Sequence, residues 1–134
     1  MRVLYLLDTD TCAFILRRSS PSLLARIQSV PLTQQVISMV TLAELLYGVQ
    51  VSNRKKENRA AVDAFALHLA VLEWSRGAAE HYAEIRADLK HKGQLIGAND
   101  LMIAAHARSI GATVVTNNVK DFSRVKGLKF ENWM

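Results

Sequence analysis

The apolar positions of this chain follow two patterns that alternate along its length. Val3-Leu4-Tyr5-Leu6-Leu7, Val36-Ile37-Ser38-Met39-Val40 and Thr113-Val114-Val115-Thr116 are short runs with little polar interruption. Strands buried on both faces of a parallel sheet look like this. Val71-Leu72 and Leu128-Lys129-Phe130 are shorter strand candidates. Between the runs, apolar residues recur at helical spacing. A short helix is predicted from Asp10 or Thr11 to about Leu16, and Pro21 opens a second with Leu23, Leu24 and Ile27 on one side. Thr41 is expected to open a third, carrying Leu42, Leu45, Leu46 and Val49. The charged stretch 53–60 leads into a fourth with Val62, Phe65 and Leu69, and a fifth runs from Ala78 to Lys92 with Tyr82, Ile85 and Leu89. A sixth opens at Asn99-Asp100 and stops at Gly111. Strands alternating with helices predict an α/β domain with a mostly parallel central sheet, formed by residues 1–134 as one domain.

Composition narrows the setting. No run reaches the roughly 18 apolar residues of a membrane span, and Asp8 and Asp10 interrupt the apolar N-terminal burst. A signal peptide is not expected. The single cysteine, Cys12, excludes an internal disulfide and a CxxC metal site. The cytoplasm is the expected compartment. Seventeen Lys and Arg against 12 Asp and Glu give a net charge of +5, which permits binding to nucleic acid or an acidic partner but does not demand it.

In a parallel α/β sheet the ligand site lies beyond the carboxyl ends of the strands, and acids gather there. Asp8 follows the first run directly, Glu44 lies in the helix after the second, and Asp100 opens the helix before the third. Asn118 and Asp121 follow that third run. Clustered carboxylates repel, and a divalent cation is the usual reason to keep them together. Each acid also has a local explanation. Thr41 to Glu44 fits a capping box. Asn99 fits an N-cap with Asp100 favouring the helix dipole, and Asp8 can cap the short helix that follows. Plotted as a helix, Ala104 and Ala107 lie near Asp100, while Met102, Ile103 and Ile110 form the broad apolar face.

The segments YLLDTDTCAF (5–14), SMVTLAELLYG (38–48), IGANDLMIAAHARSIG (96–111), VVTNNVKDF (114–122) and LKFENW (128–133) together resemble the PIN-domain ribonucleases. The chain is most similar to the VapC-type toxins of toxin–antitoxin pairs, in the subgroup that cleaves initiator tRNA in its anticodon stem-loop. The resemblance implies a PIN-like α/β/α sandwich and an acidic triad of Asp8, Glu44 and Asp100 around Mg²⁺ or Mn²⁺. Asp8 and Asp100 are then direct ligands, and Glu44 a ligand or a water-mediated partner. The family often has an acid two residues after a threonine like Thr116. Here that position is Asn118, with Asp121 as a substitute, and Asp10 stands where these toxins usually have asparagine. Thr9, Thr116 and Asn118 would orient water or phosphate oxygens. Arg17, Arg18, Lys55, Lys56, Lys120, Arg124 and Lys126 are candidates for the RNA backbone. The implied partners are a VapB-type antitoxin, a tRNA substrate and a second copy of the chain within a higher toxin–antitoxin assembly, with no membrane.

Two other readings compete. The stretch LLDTDT also fits the start of a haloacid-dehalogenase-like phosphohydrolase with Asp8 as nucleophile, though that reading gives Glu44 no role. A non-catalytic RNA-binding module is the other. His68, His81, His91 and His106 have no metal-ligand spacing, so zinc is not expected, and His106 reads as a packing or hydrogen-bonding residue. Tyr47, Trp74, Tyr82 and Trp133 can stack on bases, with core or interface packing as the default.

Overall fold

A computed structural model describes residues 2–134. Five strands, β1 (Tyr5–Leu7), β2 (Gln35–Ser38), β3 (Ala70–Leu72), β4 (Thr113–Val115) and β5 (Lys129–Glu131), pair in the order β3-β2-β1-β4-β5. Every pairing is parallel. Seven helices connect and cover them: α1 (Thr9–Arg17), α2 (Pro21–Ser29), α3 (Met39–Gln50), α4 (Lys55–Leu67), α5 (Arg76–His91), α6 (Ala98–Ile110) and α7 (Val119–Phe122).

The sheet divides the core by strand periodicity. Leu6, Val36 and Val114 face one side, where they meet Ile85 and Leu89 of α5 and Leu101, Ile103 and Ala104 of α6. Leu7, Ile37 and Val115, one residue on, face the other side with Cys12, Leu23, Leu45, Val62 and Trp133. The result is an α/β/α sandwich whose central strands are covered on both faces. Among the described residues, no helix is long and apolar enough to cross a membrane.

Three local expectations are corrected. The second strand ends at Ser38, and α3 begins at Met39 instead of Thr41, with the Ser38 hydroxyl accepting from the Val40 N–H at 3.1 Å. Glu44 therefore sits beyond the first turn and makes no capping box. The cap of α6 is Gly97, which lends no side chain, so Asn99 lies inside the helix with its amide free for other use. Finally, α6 buries Ala104, Ala105 and Ala107 together with Leu101 and Ile103, while Ile110 is 39% exposed. Helix α6 lies between the sheet and α5, and small side chains let both approach closely. Gly111 ends it in the left-handed conformation, at φ 69°, as glycine does most easily.

Candidate active site

Because all five strands run the same way, their carboxyl ends share one edge. Helices α1 and α3 start there, and α6, which returns toward β4, also begins there. The register of β1 on β4 pairs Leu7 with Val115, so the next residues, Asp8 and Thr116, come side by side. The Asp8 N–H and the Thr11 hydroxyl both donate to the Val115 carbonyl, at 3.1 and 3.0 Å, and seat this corner.

Asp8 is 2% exposed. Its Oδ1 accepts from the Thr11 N–H at 2.9 Å, so it does cap α1. Capping does not account for its whole environment. Burial raises its carboxyl above the usual range, against hydrogen bonds from Thr116 and Thr11, and the nearby Asp10 charge adds to the rise. The Asp100 carboxyl is pushed up to about 6, first by burial and then by the charge of Asp8. The Asn118 amide opposes that shift, and the charges of Asp10 and Glu44 reinforce it. The charges of Asp8, Asp10 and Glu44 thus all bear on Asp100 at this edge, and among the described residues no Lys or Arg pairs with any of the four.

Glu44 is held from both sides. The Thr9 hydroxyl donates to Oε1 and lies 3.3 Å from the Thr41 hydroxyl, while the Asn99 amide donates to Oε2 at 2.7 Å. Asn99 is the site residue that sequence reasoning missed, since its good fit to an N-cap supplied a local explanation. Its position beside Asp100 at the strand-end edge was the available signal. Thr116 is buried beside Asp8, and its hydroxyl accepts from the Asn118 N–H at 2.8 Å. The Asn118 amide spans Asp100 and Asp121, at 3.3 and 3.0 Å.

The predicted basic residues separate into three groups. Lys120, Arg124 and Lys126 follow the site loop, and Arg124 lies 3.9 Å from Asp121. Arg17 and Arg18 lie at the far end of α1, about 13 Å along the helix from its cap. Arg17 lines a groove of about 270 Å³ between α1, α3 and α4 that contains none of the acids. Lys55 and Lys56 are exposed in the first turn of α4. Among the aromatic candidates, Trp133 is buried against Tyr5 and Trp74 packs on Tyr82. Tyr47 is 69% exposed and lines an open cleft of about 530 Å³ with Thr9, Val40, Ala43, Glu44, Asn99 and Met102.

The donor set suits a hard divalent cation. It is made of oxygens, is buried at Asp8 and half-buried at Glu44 and Asp100, and has no basic partner among the described residues to neutralise it. Among the described residues, soft or nitrogen ligands are not in place. Burial pushes the Cys12 thiol well up, and the buried His106 meets Ser38 instead, its Nδ1 2.8 Å from the Ser38 hydroxyl. Among the described residues no three His, Cys, Asp or Glu side chains already close around one point. A Mg²⁺-like ion that retains several waters does not require that they do.

The family model described as PIN domain matches residues 5–128. The tRNA(fMet)-specific endonuclease VapC of Shigella flexneri is 40% identical over 129 residues, 96% of this chain and 97% of the relative. Ribonuclease VapC2 of Rickettsia felis is 38% identical over 132 residues, 98% of each. Among solved structures, DNA-bound VapBC from Salmonella typhimurium superposes with a TM-score of 0.93 at 39% identity, covering 98% of this chain and 99% of that one. VapBC2 from Rickettsia felis bound to a promoter DNA fragment gives 0.92 at 37%, covering 98% and 100%. The chain belongs to the PIN-domain family, in its VapC branch.

Proposed function

We propose that this chain is a Mg²⁺-dependent endoribonuclease toxin that hydrolyses a phosphodiester of tRNA, with initiator tRNA as its target. The observation that carries the reading is the desolvated, unneutralised group of Asp8 and Asp100, with Glu44 fixed at its rim. Asp8 and Asp100 are the residues that hold Mg²⁺, for which Mn²⁺ can substitute. When bound, the cation supplies a Lewis acid that withdraws charge from the scissile phosphate and acidifies water. The Thr11 N–H fixes the Asp8 carboxylate, so the site is organised before substrate arrives. Thr9 and Asn99 hold Glu44 in one orientation, where it positions the attacking water. The N-termini of α1, α3 and α6 face the same edge and favour a phosphate there. Tyr47, exposed on the cleft, offers a face for a flanking base.

The tRNA assignment is supported by the substrate in the name of the 40% identical relative, and a cytoplasmic location follows from that substrate. The partner proposed is a VapB-type antitoxin, supported by the VapBC complexes above. Its segment would lie in the groove between α1, α3 and α4. Val51 and Leu67, 64% and 82% exposed, support further contact with a second copy. Lys120 and Lys126 are the backbone-binding lysines nearest in sequence to the site loop. A phosphatase with Asp8 as nucleophile is the poorer reading. That carboxylate is buried and bonded on its own side, and Glu44 and Asn99 would have no role. Incubating the purified chain with a total tRNA pool and sequencing the new ends tests the proposal. Cleavage confined to initiator tRNA, abolished by chelator and restored by Mg²⁺, is expected. Intact tRNA at every metal concentration, or full cleavage in excess chelator, would overturn it.

A further inference from the structure

The acidic edge carries one more carboxylate, Asp121, and its part in the site turns on Asn118. The Asn118 amide donates to Asp121 Oδ2 at 3.0 Å and to Asp100 Oδ2 at 3.3 Å. Both neighbours are acceptors, so the nitrogen end of the amide faces inward between them. The other Asp121 oxygen, Oδ1, faces the Arg124 guanidinium at 3.9 Å. Both oxygens of Asp121 are therefore engaged by groups of its own chain.

Glu44 is engaged in the same manner, by Thr9 and by Asn99. Asp100 Oδ1, by contrast, has no protein donor among the described residues. Two carboxylates that flank one point are held together by a donor or by a cation. Between Asp100 and Asp121 the donor is an amide NH₂, which presents hydrogens where a cation needs oxygen.

We infer that the site holds one divalent cation per chain, on the Asp8 and Asp100 side, and that the Asn118 amide occupies the place of a second. This rests on the metal-dependent reading above. Asn118 then sets the ion count, and Asp121 positions the loop without ligating.

Titrating Mn²⁺ into the purified full chain without RNA, followed by calorimetry and by the paramagnetic resonance of the free ion, counts sites independently of cleavage. The wild-type chain should take up one ion. Asp121→Asn should also bind one, with an affinity within about twofold of wild type. Asn118→Asp, which gathers a new carboxylate with Asp100 and Asp121, should bind two. Two ions on the wild-type chain overturn the inference, as does a loss of more than about tenfold in Asp121→Asn. A folded Asn118→Asp that still binds one ion overturns the role given to Asn118. If Asn118→Asp does not fold, the wild-type count and Asp121→Asn decide. No Mn²⁺ binding by the wild-type chain would instead overturn the metal-dependent reading, and this inference with it.

Discussion

The side-chain amide of Asn99 donates a 2.7 Å hydrogen bond to Oε2 of Glu44, 55 residues earlier in the chain. It latches the first turn of α6, which carries Asp100, to α3, which carries Glu44. Asn99 itself is exposed, so its contact is poorly placed to stabilise the fold and well placed to orient a carboxylate.

Asn99→Ala should therefore lower tRNA cleavage about tenfold, the equivalent of about 1.4 kcal/mol. The melting temperature should scarcely move, because surface changes that break no cap usually stay within about 0.5 kcal/mol. Cleavage rates and thermal melts of the one variant check both halves. Wild-type activity with a stability loss of about 1 kcal/mol would return Asn99 to the part of a helix cap.

A second expectation concerns pH. The Asp100 carboxyl titrates near 6 in the fold against an ordinary 3.8, so the folded chain keeps a proton that the unfolded chain has lost. The stability it contributes is fully present below about pH 4 and disappears as pH rises through about 6. Because the group is only partly buried, the loss should be about 1–2 kcal/mol after allowing for solvent screening. Without metal, wild-type stability should fall relative to Asp100→Asn across this window. Added Mn²⁺ should reverse the trend above about pH 6, since the cation requires the ionised carboxylate. Parallel melting curves for the two proteins at every pH, in chelator, would refute the environment described for Asp100.

His106 provides a test of the scaffold. It is 1% exposed, its Nδ1 lies 2.8 Å from the hydroxyl of Ser38, and burial lowers its pKa. Ser38 in turn caps α3, so this contact joins α6 to the helix that carries Glu44. His106→Ala should cost about 2–4 kcal/mol, from the cavity and from the hydroxyl left without its partner. His106→Asn, which keeps an amide near the Nδ1 position, should recover about 1 kcal/mol of it. Urea denaturation measures both. A cost below about 0.5 kcal/mol for the alanine variant would show that the pair carries no structural load.

The parts of the fold legible in the sequence were those with a local signature. The runs around Leu6, Ile37 and Val114 lack polar alternation because both faces of the sheet are covered, and this implies parallel strands and a common edge for Asp8, Glu44 and Asp100. What misled lay where a polar residue near a helix start offered a ready local explanation. Ser38 and Thr41 are both good caps, and so is Asn99. The choice between them depends on partners remote in sequence, His106 for Ser38 and Glu44 for Asn99. Likewise, no periodicity shows that Thr116 faces Asp8 or that Asn118 joins Asp100 to Asp121. Those contacts follow from the register of β1 on β4 and from the turn after it.

Asp100 decides whether the acidic edge is a metal centre or a set of helix ends. Asp100→Asn preserves size and can still accept from Asn118, but it removes the charge. The measurement is the cleavage rate of initiator tRNA in Mg²⁺ together with the melting temperature in chelator, both at about pH 7.5 and beside the wild-type chain. The expected result is a variant at least as stable as wild type, because carboxylate repulsion is relieved, with cleavage reduced by a few hundredfold. That corresponds to about 3–4 kcal/mol of lost transition-state stabilisation. A variant that cleaves at the wild-type rate and has lost about 0.3–1 kcal/mol of stability would mean that Asp100 serves only the helix dipole.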